Sequence, residues 1–430
     1  MGEIKETLRK LFKTGFFHIF GSNVINRIIG FLSGVILIRI LTKNEYGVFT
    51  YAWNIYSIII LFTGMGVENG VLQLASEHSS DREYTDKVVN YGTRFGFRFN
   101  LLLTAVILGI GLLAPLKIES GRPLLMMLCL LPTVELAANL ITVYLRAQKR
   151  NQEYSRLNVI STISMLALSA GAAFLFREKG MVISHYLSPL LVIVLGYSLC
   201  HVHLINRDRS GLGEERNAFL KISFISMCNN GLSQLMYLLD LFVLGIVDPQ
   251  ETILASYKVA TSIPAALTFI PLALVTYLYP YFAEHKDDKA WCMEKYNKVV
   301  LGLGGLNLVI STMLFFAAPL VIRLVYGEQY LDAVPVFRIL AVNYFFSGTF
   351  RLLSGNLLVT QRKLKFNLIV AIISSSINVV ADYFFIRTWG SIGAAWATVL
   401  VVIVSGAMST IYLVKVFRNQ GKEQSSAIRE

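Results

Sequence analysis

Several ionisable residues interrupt stretches of Ile, Leu, Val, Phe and Ala that are otherwise apolar enough to cross a bilayer. They are Arg27, Glu68, Glu135, Asp240, Lys258, Arg338, Arg351 and Asp382. A charged side chain at mid-bilayer costs about 2.5–3.5 kcal/mol on insertion scales. Such groups persist when they face one another, face water or face a charged ligand. Bases in that setting can hold an anion. Carboxylates can couple to a proton or cation. The chemistry is therefore binding and conduction along a path through the membrane.

Polar neighbours accompany these charges at helical spacing. Asn23, Asn26, Arg27, Gly30 and Gly34 fall at i, i+3, i+4, i+7 and i+11, which is one helical face. Asn230, Ser233, Gln234 and Tyr237 line a second face, with Asp240 close by. A polar stripe in a bilayer is expected to turn away from lipid, toward a water-filled cavity.

The elements that must carry these faces are membrane spans. The chain has 430 residues, 55% hydrophobic and only 15% charged, against about 25% charged in soluble domains. A spanning helix needs about 20 mostly apolar residues. Runs of that kind lie near 16–41, 50–76, 90–114, 123–146, 156–176, 181–204, 219–247, 253–283, 296–324, 334–359, 366–387 and 391–416. The expected fold is all-α, a polytopic membrane protein of about twelve transmembrane helices. The basic start Ile4–Lys13 is expected to be a retained interfacial helix rather than a cleaved signal.

The formal charge of +12 invites a nucleic-acid reading. Its distribution argues against one. Most of the 39 Lys and Arg fall on the side of the N-terminus if alternate spans cross. The positive-inside rule makes that side cytoplasmic, with both termini there. Cys129, Cys200, Cys228 and Cys292 form no CxxC pair, and no disulfide is required. His201 and His203 suit interfacial polar positions better than a metal site, so no metal is expected.

The chain looks duplicated. Gln148-Lys149-Arg150, Asn158 and Lys179-Gly180 are echoed by Gln361-Arg362-Lys363, Asn367 and Trp389-Gly390. Six spans then six spans share one orientation, a parallel repeat about an axis along the membrane normal, with the binding site expected between the halves. The expected division is an N-lobe over 1–206, a polar linker over 207–216 and a C-lobe over 217–430.

Ile40 to Phe49, Leu239 to Gly245 around Asp240, Gln361 to Lys363, Ile377 to Val380 and Gly390 to Thr398 together carry a resemblance. The chain resembles the polysaccharide flippases that move lipid-linked oligosaccharides. Their superfamily also holds the multidrug and toxin extrusion (MATE) transporters and the lipid II flippase. The likeness covers essentially the whole chain. One departure is Ala255-Ser256-Tyr257, where members commonly carry Gly-Ile-Tyr.

The resemblance implies an oligosaccharide on a polyprenyl diphosphate as substrate, flipped by alternating access in a bacterial or archaeal cytoplasmic membrane. It implies a monomer without cofactor, energised by a Na+ or H+ gradient, membrane potential or substrate supply. Membrane lipids and other polysaccharide-assembly proteins are the further expected partners. The lipid II flippase carries functional bases at places matching Arg27 and Lys258. Arg binds phosphate bidentately and Lys as a point charge, so Arg27, Lys258 and Arg351 are candidates for the diphosphate. Asn23, Asn26, Asn230, Gln234 and Tyr237 are candidates for the sugar. Asp240, Glu68 and Glu135 are the candidate ion-coupling carboxylates.

Depth offers another reading of the same charges. Asp240 with Lys258, Asp382 with Arg338, Glu68 with Arg351, and Arg27 with Glu135 lie at matching levels and could simply pair. Hinges are expected at Pro264, Pro271 and Pro280 in the eighth span and at Gly21, Gly30 and Gly34 in the first. Two rival functions remain. A drug exporter would favour an acidic, aromatic cavity. A membrane polymerase or ligase would need larger outer loops than Lys117–Arg122 or Asp248–Thr252.

Overall fold

Backbone N–H and C=O groups have no water partner inside a bilayer, so apolar runs of this length must satisfy them within helices. The computed structural model describes residues 16–78, 81–205 and 211–427. The interfacial helix expected over 4–13 lies outside these residues, as do residue 206 and 207–210 of the linker.

In chain order the helices begin with α1 Phe16–Ile40, α2 Lys43–Ile59, α3 Val67–Glu77, α4 Arg82–Leu113, α5 Arg122–Met127, α6 Leu131–Ala147 and α7 Asn151–Ser198. They continue with α8 Arg216–Val247, α9 Glu251–Leu267, α10 Phe269–Glu284, α11 Lys289–Val325, α12 Val334–Phe346, α13 Leu352–Thr360 and α14 Leu364–Ala427. A 3-10 segment, Ile60–Gly66, joins α2 to α3, and a π-turn, Ser347–Arg351, joins α12 to α13.

Two of these helices are hairpins. Arg177 (φ 55°, ψ −134°) breaks α7, and Ser188 Oγ donates to Ser161 O at 3.1 Å. A straight helix would hold those residues about 40 Å apart. Gly390 (φ 57°, ψ −133°) breaks α14 in the same way. With α2–α3, α5–α6, α9–α10 and α12–α13 each read as one interrupted span, the described residues make twelve passes.

The break sites repair the register of the internal repeat. Lys149 and Arg362 share left-handed φ values of 57° and 58°, and each pair of equivalents is 213 positions apart. Arg177 and Gly390 keep that offset, and so do Gly180 and Gly393. Gly180, which the sequence echo matches with Gly390, is thus the counterpart of Gly393. The Gln-led motif keeps the backbone offset, whereas the Asn158–Asn367 and Gly180–Gly390 echoes fall short of it by four and three residues.

A non-glycine residue at the Arg177 conformation is strained. It is held from outside: its guanidinium donates to both Glu45 carboxylate oxygens at 2.9 and 2.7 Å and to Ile40 O at 3.1 Å. Glu45 also closes a capping box with Thr42 at the start of α2. Thr42→Ala should therefore lower stability by about 1 kcal/mol, read as a drop in the thermal midpoint of purified protein. An unchanged midpoint would mean the cap carries no weight.

Contacts divide the chain into Met1–Leu235 and Met236–Glu430, within α8. In the first unit α1 and α6 pack on α7, and α3 lies against α4 and α6. Val67, Val71, Val88, Leu136, Leu140, Ile141 and Phe219 form its core. In the second, α11 and α14 pack on α12, and α10 packs on α13. Val275, Phe282, Leu303, Leu353, Leu357 and Phe417 form that core.

The second and eighth spans are both interrupted. Thr63, Gly64 and Met65 leave helical geometry, and the freed Gly64 N–H donates to Asn100 Oδ1 at 2.7 Å. In the eighth, Pro264 and Pro271 flank the break at Thr268, since Pro271 has no N–H to give. A break lies where Pro264 and Pro271 are expected to bend the span, but α10 runs on unbroken through Pro280. α1 runs unbroken through Gly21, Gly30 and Gly34.

Candidate functional site

In α1 the polar face is also the inward face. Leu37, Ile38 and Leu41 are buried on it, while Ile28, Leu32 and Ile36 on the opposite side are exposed. Nearer the N-terminus the same inward face opens. A methyl group at Gly30 or Gly34 would meet nothing within 4 Å, and Arg27 is exposed beside them. Asn26 is half-buried, and its Oδ1 has no hydrogen-bond partner. The side chains of Asn23 and Tyr237 lie outside the described residues.

Lys258 stands out in the second unit. From Leu254 to Ala260 every residue is buried except Lys258, which is exposed. A helix facing lipid shows an apolar stripe to its surroundings. Here a helix enclosed on all other sides shows a single ammonium. Ser262 and Tyr326 bond to each other at 2.5 Å one turn beyond. Arg351 is half-buried in the π-turn, while Asn230 and Gln234 on α8 are exposed.

None of the three charge pairs expected within a unit forms. Lys258 does not meet Asp240. Arg338 donates to Phe315 O at 3.2 Å and lies over that ring at 5.5 Å, away from Asp382. Glu135 accepts from Tyr56 Oη at 3.1 Å rather than from Arg27. Matching depth fixes height along a helix but not direction around it.

Instead, two acids come together. Asp240 accepts from Tyr257 Oη at 3.0 Å, Asn378 Nδ2 at 3.2 Å and Thr398 Oγ1 at 2.5 Å. Asp382 is the acidic neighbour of Asp240. It is fully buried, and neither of its oxygens has a partner. Asn378 Oδ1 and Ser374 Oγ are also buried and unpartnered. Ser374, Asn378 and Asp382 fall at i, i+4 and i+8 along one face of α14 before its break. Thr398 comes from the helix after the break, so the hairpin builds the cluster.

Burying two carboxylates side by side without compensation is prohibitive. A shared proton or a small cation resolves it. The donors are all oxygens, which suits a hard ion over a transition metal. Sequence reasoning paired Asp382 with Arg338 and left it out of the coupling carboxylates. The Ser-x3-Asn-x3-Asp spacing was the available signal.

The first unit holds a looser acidic set. Glu68 opens α3 directly after the break and accepts from Asn139 Nδ2 at 3.0 Å. Its position in the first turn suits the helix dipole. Glu135 is its acidic neighbour. His185 stacks on Trp53, ring centroids 4.0 Å apart. Among the described residues no group of three His, Cys, Asp or Glu is placed to hold a metal.

Known proteins resemble this chain in sequence and fold. Residues 36–335 match the family described as "Polysaccharide biosynthesis protein". A relative from Ralstonia nicotianae, the EPS I polysaccharide export inner membrane protein EpsE, is 24% identical over 393 residues, covering 85% of each chain. An uncharacterized membrane protein in the cps region of Klebsiella pneumoniae is 20% identical over 400 residues, covering 90% of this chain and 79% of its own.

Among solved structures, an inward-facing MATE family transporter superposes with a TM-score of 0.72 at 15% identity, covering 92% of this chain and 96% of that one. The lipid II flippase MurJ, in an inward closed conformation, gives 0.69 at 17% identity, covering 92% and 88%. These structures share its fold. The chain is a multi-pass membrane protein with the fold of these transporters, and it belongs to the polysaccharide biosynthesis protein family.

Proposed function

We propose that the protein flips a polyprenyl-diphosphate-linked oligosaccharide, a repeat unit of a cell-surface polysaccharide, from the cytoplasmic to the outer leaflet by alternating access. The observation that carries this reading is Lys258, the one exposed residue in an otherwise enclosed stretch of α9. An ammonium maintained there needs an anion that comes and goes. Arg27, on the open part of the α1 polar face, is the second base for the diphosphate, and Arg351 the third. Asn26, Asn230 and Gln234 offer amide groups to sugar hydroxyls, and both termini are cytoplasmic in this reading.

Asp240 and Asp382 supply the coupling site for a proton or sodium ion, supported by the orphaned oxygens of Asp382. Glu68 and Glu135 are further carboxylates on the ion path. The ion is a co-substrate here.

The test is movement of a labelled polyprenyl-diphosphate oligosaccharide across vesicles containing the full chain. Transfer by wild type is expected. No transfer with several glycan headgroups, combined with movement of an organic cation, would replace this reading with drug export. Asp382→Asn should fold normally and lose the acceleration given by a sodium or proton gradient, about tenfold for a coupling energy in the usual range. Equal acceleration in variant and wild type would remove the pair from coupling.

A further inference from the structure

The repeat places the same backbone corner in both units, but with different charge. In the first unit Arg150 N–H donates to Leu145 O at 2.8 Å; in the second Lys363 N–H donates to Leu358 O at 2.9 Å. The first corner is satisfied internally. Arg150 Nε donates to Glu153 Oε1 at 2.9 Å, Arg150 Nη2 to Cys200 O at 2.8 Å, and Gln148 Nε2 to Thr85 Oγ1 at 3.0 Å.

In the second corner the position of Glu153 is taken by Phe366. Its ring stacks on Tyr412, centroids 3.8 Å apart. The acid that would answer Lys363 is gone. Lys289 is added, its side chain buried and donating to Gln361 Oε1 at 2.5 Å and to Lys286 O. A cavity of about 490 Å³ opens over this floor. Lys286, Lys289, Arg362, Lys363 and Lys415 line it, against the single acid Asp287. Among the described residues, Arg362, Lys363 and Lys415 make no ion pair.

Five cations around one cavity with one carboxylate repel each other unless an anion joins them. The corner lies at the Lys/Arg-rich ends of the spans, the side that positive-inside reasoning makes cytoplasmic. Trp291, stacked on His285 and approached by Lys295, is an amphipathic ring suited to that interface. Basic pockets between spans on this side suit lipid headgroups.

We propose that this corner of the second unit binds a phosphate-bearing anion. Arg362 offers a bidentate fork, while Lys363 and Lys415 act as point charges at the rim. A phosphodiester headgroup of an anionic lipid and free phosphate share this chemistry. Neither source depends on the substrate assigned above.

The test uses the full chain in detergent. Binding of dioleoyl-phosphatidylglycerol, dioleoyl-phosphatidylcholine and inorganic phosphate is measured by native mass spectrometry and thermal shift. Wild type is compared with Lys363→Gln/Lys415→Gln, both exposed positions, and with Lys149→Gln at the first corner. The double variant should bind the anion about thirtyfold more weakly, at about 1 kcal/mol per cation. Lys149→Gln should bind as wild type. Phosphatidylglycerol retained without a phosphate effect assigns the site to lipid; a phosphate effect alone assigns it to a soluble anion. Binding of neither, or equal weakening by Lys149→Gln, would overturn the proposal.

Discussion

Lys258→Ala is expected to slow headgroup transfer by about 30- to 150-fold while leaving the thermal midpoint unchanged. A hydrogen bond to a charged partner contributes about 1.5–3 kcal/mol, more when water is excluded. The upper two-thirds of that range, about 2–3 kcal/mol, sets the fold-change. Stability should not move, because Lys258 is exposed and has no structural partner among the described residues. Its buried neighbours Leu254, Tyr257 and Val259 carry the packing of α9. Lys258→Arg should retain much of the rate, since it keeps the charge. Lys258→Met keeps the stem without the charge and should behave as alanine does. Transfer in vesicles at matched protein density decides the matter. A rate within twofold of wild type for Lys258→Met would show that the ammonium does not meet the diphosphate.

Arg27 provides the companion measurement. It sits where the inward face of α1 opens, and Gly30 and Gly34 leave that level unfilled. If both bases meet one diphosphate, the double variant should lose less than the product of the single losses. Residues that share a ligand are coupled, whereas independent sites add in free energy. A strictly multiplicative loss would place the two bases on different steps of the cycle.

Much of this was legible in the sequence, for identifiable reasons. Apolar run length reports span number directly, because a bilayer has a fixed thickness. All twelve runs became passes, including those hidden in the hairpins at Arg177 and Gly390. The basic residues were recognisable because lysine and arginine inside such runs are costly. Pairings were not legible. Asp240 and Lys258 share a depth, yet one faces the hairpin of α14 and the other faces open space. The partner of Asp240 lies more than a hundred residues away, and no local pattern points to it. The break in the second span had a signal that went unread. Gly64 and Gly66 flank Met65 within an apolar run, and both take positive φ. The empty second corner was legible only once the repeat had its correct offset, because Glu153 and Phe366 must be compared with each other.

Gly393→Ala should be among the most damaging small substitutions in the described residues, together with Gly180→Ala. A methyl group there would lie 1.9 Å from the carbonyl oxygen of Phe385, on the other limb of the hairpin. Gly180 shows the same distance to Ala172 O. The obstacle is backbone on a packed helix, so the limbs must separate rather than a side chain turn aside. Overpacking commonly costs about 1–3 kcal/mol, and a clash with backbone belongs at or above the top of that range. Against a total stability of about 5–15 kcal/mol, that loss should cut the yield of monodisperse protein and lower its thermal midpoint. Gly302→Ala and Gly355→Ala are the controls. Nothing lies within 4 Å of either added methyl, and alanine favours a helix by about 1 kcal/mol. They should be neutral or stabilising.

The same hairpin sets Asn378 on one limb and Thr398 on the other against Asp240. Prising the limbs apart should therefore also loosen the carboxylate cluster. Any Gly393→Ala protein recovered at low temperature should have lost its gradient response. Recovery of that protein with wild-type stability would mean the limbs have slack that the 1.9 Å approach denies. The hairpin would then no longer account for how the two acids are held together.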